Sequence, residues 1–511
     1  MGRVRIAVLL ALVTVLAACT NSPAPGDVER RGPAGSVPPG LERFYGQTLD
    51  WRSCAEFGSP DAPEGSDCAW LETPLDYANP AGRTVRTGVT RHRATDPDRR
   101  IGVLTTDTGG GVRFRMSAAA TFGNDELRER FDVVAIDRRG SGTSDLRARC
   151  YDNADWERDR ATDAPGEAKD RAYLDACLRN SGAEVLTGLG TREVARDMDV
   201  LRSALGERQL SLYGASSGTL AAIEYAERFT GSVRALVLDG PAPTRPPDVV
   251  ADAAVGGRAV QRAFDEFAAH CASTPDCPLG TDPATAAGRL HALLLPLLDR
   301  PAPAGEGRSL TFSDAELGVT SAITAGAGDR ARTALTALNS ENGSELLALA
   351  DEFYYRRDAN GDYDRNVANE TAVRCIDEAR PDAATARAAT EAYRVAAPFR
   401  ETVGLRSPSG TPAPGLGSVL SACTAWPVPP TWVPHPPDAP GLPTPVLIAA
   451  TGDQATPYRD GVDQARALRG RLLTLEAGTH VNYLRGNECV DEPVTRALVD
   501  GVPPEADRTC R

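Results

Sequence analysis

Gly214-Ala215-Ser216-Ser217-Gly218 links the apolar run 210–213 to a helical stretch over 219–229. A G-x-S-x-G sequence between a strand and a helix makes a sharp turn that lifts the serine hydroxyl above the sheet, and its glycines relieve the crowding. Such a serine can attack a carbonyl only if a base takes its proton and a third group orients that base. The chain has five histidines: His92, His270, His291, His435 and His480. Of the two late in the chain, His435 lies in a proline-rich stretch, whereas His480 closes the strand-like run LTLEAGTH. Asp453 follows the apolar run 446–450 and stands 27 residues before His480, room for one helix and one strand. Serine, acid, histidine is the chain order in which one known sheet architecture carries this triad. The chemistry expected of Ser216, Asp453 and His480 is acyl transfer through a covalent intermediate. The backbone N–H of Ser217, at the start of a helix, is placed to meet the developing oxyanion. Each residue also has a plainer reading, as a turn serine, a helix-capping aspartate and a loop histidine. Order and position at strand ends favour the triad.

These side chains need a frame. Segments 85–93 and 101–106 read as strands, and 131–137 (FDVVAID) is short, apolar and suited to burial on both faces of a parallel sheet. Segment 192–205 has helical apolar spacing at Val194, Met198, Leu201 and Leu205, with Gly206 as a stop signal. Segments 210–213, 233–238, 446–450 and 471–475 also read as strands. Strands alternating with helices imply a right-handed, mostly parallel α/β sheet, and the serine turn makes it an α/β-hydrolase fold. Between 246 and 398 no convincing strand appears; helices are expected over 249–272, 284–298, 314–325 and 344–356. The expected organisation is a core over 41–243, a helical cap over 244–425, and the rest of the core over 426–511, entered through the proline-rich 427–445.

The N-terminus has Arg3 and Arg5, an apolar stretch over 6–16, and Leu16-Ala17-Ala18-Cys19. The apolar stretch is too short to span a bilayer and fits a signal peptide. We expect a lipoprotein signal over 1–18, lipidation of Cys19, and a flexible tether over 19–40 holding the domain off a membrane. A plain signal peptide is the alternative. Removing Cys19 leaves ten of the eleven cysteines, an even number that suits disulfides in an oxidising compartment. Sequence does not fix their connectivity; pairing neighbours in order gives Cys54–Cys68, Cys150–Cys177, Cys271–Cys277, Cys375–Cys423 and Cys489–Cys510.

Hydrophobic content of 41 % and charged content of 25 % are those of a globular enzyme, and 511 residues suffice for a large core plus an insertion. The net charge of −14, without any Lys/Arg-rich run, argues against nucleic-acid binding. No metal constellation, Walker loop or dinucleotide fingerprint occurs, so no cofactor is expected.

Motifs along 41–511 carry a family resemblance. They include Phe44-Tyr45 with Gln47, Trp51 and Cys54; the stretches 74–80 and 131–142 with Ser144; and Asp197-Met198-Asp199 with Leu201-Arg202. They continue with 214–219, Val237-Leu238-Asp239-Gly240, 372–377, Cys423 with Trp426-Pro427, Asp453 with Thr456-Pro457, and Gly486-Asn487 with Cys489-Val490. Together these resemble the secreted actinobacterial tripeptidyl aminopeptidases, relatives of proline iminopeptidases. The resemblance implies a helical cap, the Ser216–Asp453–His480 triad, and release of short peptides from free N-termini. It also implies a second oxyanion donor in a loop like NPGGPGGSG. Here that loop reads Thr106-Asp107-Thr108-Gly109-Gly110-Gly111-Val112-Arg113, and Gly110 or Gly111 is the expected donor. The family usually has tyrosine after the nucleophile; this chain has Ser217. An exopeptidase needs a negative group for the substrate ammonium; Asp377 and Glu378 are candidates, and a solvated acidic helix face is the competing reading.

The leading expectation is thus an extracellular serine exopeptidase acting on peptides and anchored to the membrane through Cys19. An esterase or lipase on the same fold, and a catalytically weak peptide-binding lipoprotein, are the alternatives.

Overall fold

The computed structural model describes residues 35–57, 65–109, 122–163, 166–415 and 421–511. The signal-peptide and lipidation readings, Cys19 included, lie outside the described residues, as do Gly110 and Gly111. Twelve strands occur among the described residues. Ten build one sheet: β1 (Arg52–Ser53), β2 (Ser66–Pro74), β3 (Thr84–His92), β4 (Gly102–Asp107), β5 (Phe131–Ile136), β6 (Leu210–Ala215), β7 (Val233–Asp239), β10 (Val446–Ala450), β11 (Arg471–Leu475) and β12 (Arg508–Cys510). Their order is β1-β2-β3-β5-β4-β6-β7-β10-β11-β12. From β5 through β12 the pairing is parallel; β1, β2 and β3 form an antiparallel flank.

The central strands are short apolar runs because both sheet faces are covered. Alternate residues separate to two cores. Leu212, Leu238 and Leu447 pack beneath helices Thr191–Ala204, Gly218–Arg228 and Tyr458–Ala467. Tyr213, Val237 and Ile448 pack with Leu127, Val494 and Leu498 of helices Asp125–Arg130 and Glu488–Asp500 on the opposite face. A one-residue register slip would exchange the two sets, so register is firmly specified.

The insertion has its own apolar core, with Phe264, Leu290, Phe312, Leu335, Leu346 and Phe399. Helix Val249–Ala272 packs along Ala383–Ala396. The stretch expected to hold no strand includes a small hairpin, β8 (Ala302–Pro303) with β9 (Ser309–Leu310). The helix expected over 344–356 is α-helical only at Ser344–Leu349 and continues as a π-helix over Ala350–Tyr355, ending at left-handed Arg356. All five cysteine pairs are bonded in sequence order: Cys54–Cys68, Cys150–Cys177, Cys271–Cys277, Cys375–Cys423 and Cys489–Cys510.

Candidate active site

Ser216 sits at the end of β6, before helix Gly218–Arg228, with φ +52°. A non-glycine residue there is strained, and such strain persists only where surrounding structure dictates it. Here the Ser216 N–H donates to the Asp239 carbonyl at 2.9 Å, and the Ser216 carbonyl accepts from Thr219 N and Oγ1 at 3.0 and 2.7 Å. The flanking glycines are required by crowding. A Cβ on Gly214 would come within 2.9 Å of the Gly218 carbonyl oxygen, and one on Gly218 within 2.1 Å of the Asp107 carbonyl oxygen.

Asp453 and His480 meet beside this turn. Parallel pairing of β10 with β7 sets Ile448 opposite Asp239 and brings the β10 end next to the elbow. His480 Nδ1 lies 2.8 Å from Asp453 Oδ2, while Asp453 Oδ1 accepts from Ala455 N and Thr456 N at 2.8 and 3.0 Å. Thr456 Oγ1 donates to Oδ2 at 2.9 Å. Burial raises the Asp453 pKa, but the bonds from His480, Thr456 and Ala455 outweigh it and hold the carboxyl below its ordinary value. That leaves His480 Nε2 for the serine, and the imidazole is about a third exposed, open to a substrate. Among the described residues the Ser216 hydroxyl has no hydrogen-bond partner within 3.5 Å; such contacts commonly tighten only with substrate bound. The other histidines are engaged elsewhere: His270 with Asp329, His291 with the Phe399 carbonyl, His435 with Glu227 and the Val433 carbonyl, and His92 with the Arg93 carbonyl.

Beside the oxyanion position, Gly109 has φ +74°, and a Cβ there would fall 2.5 Å from the Ala215 carbonyl oxygen and 3.2 Å from Ser217 N. Gly109 therefore lets the backbone just after β4 approach the elbow closely. Its own N–H is used by Asp107 Oδ1 at 3.1 Å. Asp107 also holds Arg138, at 2.8 Å to Nε and 2.5 Å to Nη2, and Arg138 Nη2 donates to the Ser217 carbonyl at 3.0 Å. This clamp joins three loops, and only the glycine run and the two arginines after FDVVAID hint at it from the residues alone.

A cavity of about 410 Å³ adjoins the elbow, lined by Ser217, Leu220, Arg138, Trp432, Asp377 and Glu378 among others. The two acidic candidates have different fates. Asp377 is buried, and both its oxygens accept from Thr191 N at 3.0 Å; burial pushes its pKa up to about 6. Glu378 makes no hydrogen bond or ion pair among the described residues, and burial raises its pKa too. Trp432 Nε1 donates to the buried Glu224 at 3.1 Å, fixing the indole on the cavity wall.

A strained serine, an Asp-oriented histidine and a helix N-terminus beside a cavity form a constellation able to transfer acyl groups. Comparison with known proteins agrees in kind. The profile of the family described as "alpha/beta hydrolase fold" matches residues 117–486. The chain is 34 % identical over 492 residues to a protein named "Serine protease Hip1" from Mycobacterium tuberculosis, covering 92 % of each chain. It is 35 % identical over 478 residues to "Carboxylesterase B" of the same organism, covering 90 % of this chain and 89 % of that one. A "Tripeptidyl aminopeptidase" from Streptomyces coelicolor is 33 % identical over 208 residues, 37 % of each chain. Among solved structures, an enol-lactonase from Burkholderia xenovorans aligns over 81 % of this chain and 96 % of its own at 15 % identity and a TM-score of 0.32.

Proposed function

This chain belongs to the α/β-hydrolase family, and on that footing we propose that it is an exported serine exopeptidase releasing di- or tripeptides from free N-termini. Ser216 attacks the scissile carbonyl while His480 takes its proton, and Asp453 holds the imidazole and stabilises its charged form. The N–H of Ser217, with Gly110 or Gly111, meets the oxyanion. His480 then protonates the departing amine, and water releases the short peptide from Ser216. One observation carries the reading: the 2.8 Å Asp453–His480 pair stands beside the strained Ser216, next to a cavity whose wall bears the unpaired Glu378. Glu378 is the better counter-charge for the substrate ammonium, because both oxygens of Asp377 are taken by Thr191 N. The relatives named as a serine protease and a tripeptidyl aminopeptidase support peptide-bond hydrolysis. The relative named as a carboxylesterase favours a second reading, an esterase on the same scaffold.

Two chromogenic peptides, one with a free N-terminus and one N-acetylated, together with a nitrophenyl acyl ester, separate these readings. The exopeptidase cleaves only the free peptide well, and Glu378→Gln raises KM for it by about ten- to a hundredfold at nearly constant kcat, the loss of one charge-assisted contact. Ester cleavage without peptide cleavage would select the second reading. Anchoring through Cys19 belongs to the same proposal. The expected result is incorporation of labelled fatty acid into the expressed protein, abolished by Cys19→Ser; equal labelling of both forms would exclude that residue.

A further inference from the structure

We propose that Asp239, outside the triad, is the positioning residue that locks the loop bearing His480 against the nucleophile elbow; this rests on the serine-hydrolase reading of Ser216 and His480. Asp239 ends β7 and is fully buried. Its backbone carbonyl accepts the Ser216 N–H at 2.9 Å. Its carboxylate faces the other way along the site. Oδ1 and Oδ2 accept from Asn482 N at 3.0 and 2.9 Å, and Oδ2 also accepts from Tyr483 N and Tyr213 Oη, both at 2.8 Å. One residue therefore holds the nucleophile through its main chain and the segment just after the base through its side chain.

That segment needs holding. Val481, directly after His480, has φ +61°. A β-branched residue in the left-handed region is strained and stays there only when its neighbours over-determine it. The two N–H groups that follow Val481 are the ones Asp239 captures, so the carboxylate fixes the strained turn that aims the imidazole. Every partner of the carboxylate is a donor. An amide in its place would keep its oxygen where Oδ2 meets Tyr483 and Tyr213, and would turn its NH2 toward the Asn482 N–H, donor against donor. Asp239 is no catalytic residue, since it is sealed from the cavity and reaches no substrate atom.

The experiment compares wild type, Asp239→Asn, Val481→Gly, the double variant, and Tyr213→Phe, which removes one donor to the carboxylate and keeps the ring. Ser216 reactivity toward a fluorophosphonate, with kcat and KM on a cleaved substrate, is read beside the thermal midpoint. Asp239→Asn is expected to lower labelling rate and kcat about 100-fold, the scale of a small misplacement of the base, with KM unchanged within about threefold. Tyr213→Phe is expected to lower kcat about threefold at constant KM. Glycine at 481 adopts the left-handed turn without strain, so in the Val481→Gly background the loss from Asp239→Asn shrinks to about tenfold or less. Wild-type reactivity with Asp239→Asn and Tyr213→Phe both matching it overturns the proposal alone, as does an equal loss in both backgrounds. A wild type that reacts with no probe overturns the triad reading along with it.

Discussion

Replacing Ser216 by alanine is expected to reduce hydrolysis of every substrate to background, a loss of about a millionfold where the chemical step limits the rate, without lowering stability. The hydroxyl has no hydrogen-bond partner among the described residues, so its removal strands no buried group. Alanine keeps the strain at φ +52°, because that strain comes from Cβ and not from the hydroxyl. Glycine at the same position should be equally inactive yet more stable, by about 1 kcal/mol, since the left-handed conformation is then unpenalised. The measurement is kcat with denaturant midpoints for wild type, Ser216→Ala and Ser216→Gly. A Ser216→Ala enzyme retaining more than a thousandth of its activity would remove Ser216 as nucleophile. A Ser216→Gly midpoint below that of alanine would remove the claim that the elbow stores strain.

Asp453→Asn should cost about four orders of magnitude in kcat, for a reason visible in the local bonding. Asp453 Oδ1 accepts the N–H groups of Ala455 and Thr456, so the amide oxygen of asparagine takes that place. The NH2 then occupies the Oδ2 position, 2.8 Å from His480 Nδ1, and donates to it. His480 must place its proton on Nε2, where it faces the serine as a donor and cannot accept the hydroxyl proton. The backbone bonds persist, so the folded structure should be nearly unaffected. Steady-state kinetics beside a thermal melt tests this. Activity within tenfold of wild type would exclude Asp453 as orienting acid.

Much of this was readable in the residues. The elbow announces itself because a strand, G-x-S-x-G and a helix follow in immediate succession, and Asp453 and His480 stand at the ends of apolar runs whose burial on both faces leaves little ambiguity. Helix Val249–Ala272 has the bounds its periodicity predicts. What escaped is the nine-residue β2, whose buried and part-exposed positions do not alternate cleanly, together with features that depend on partners distant in sequence or on elements too short for a pattern. β12 has three residues, with Arg508 and Thr509 exposed, and β8 and β9 have two each. The π-helix Ala350–Tyr355 follows its α-helix with no Gly or Pro to mark the change. Asp377 and Glu378 are adjacent and chemically alike. They part company because the N–H of Thr191, 186 residues away in sequence, reaches the first and not the second. Asp239 looks like any acid at the end of a strand until the segment from 482 to 483 folds onto it.

The insertion's apolar core is separate from the two that flank the sheet. Ser216, Asp453 and His480 all stand at strand ends of the sheet, whereas Glu378 follows helix Asn366–Asp377, whose Ala372, Cys375 and Ile376 pack with Leu75, Val85 and Leu146 in a cluster of their own, and Trp432 lies on the stretch that leads into β10. Heritable variation in the insertion can therefore change which molecules are accepted while leaving bond-breaking untouched. A fold built this way can change what it admits without rebuilding the groups that carry out the reaction.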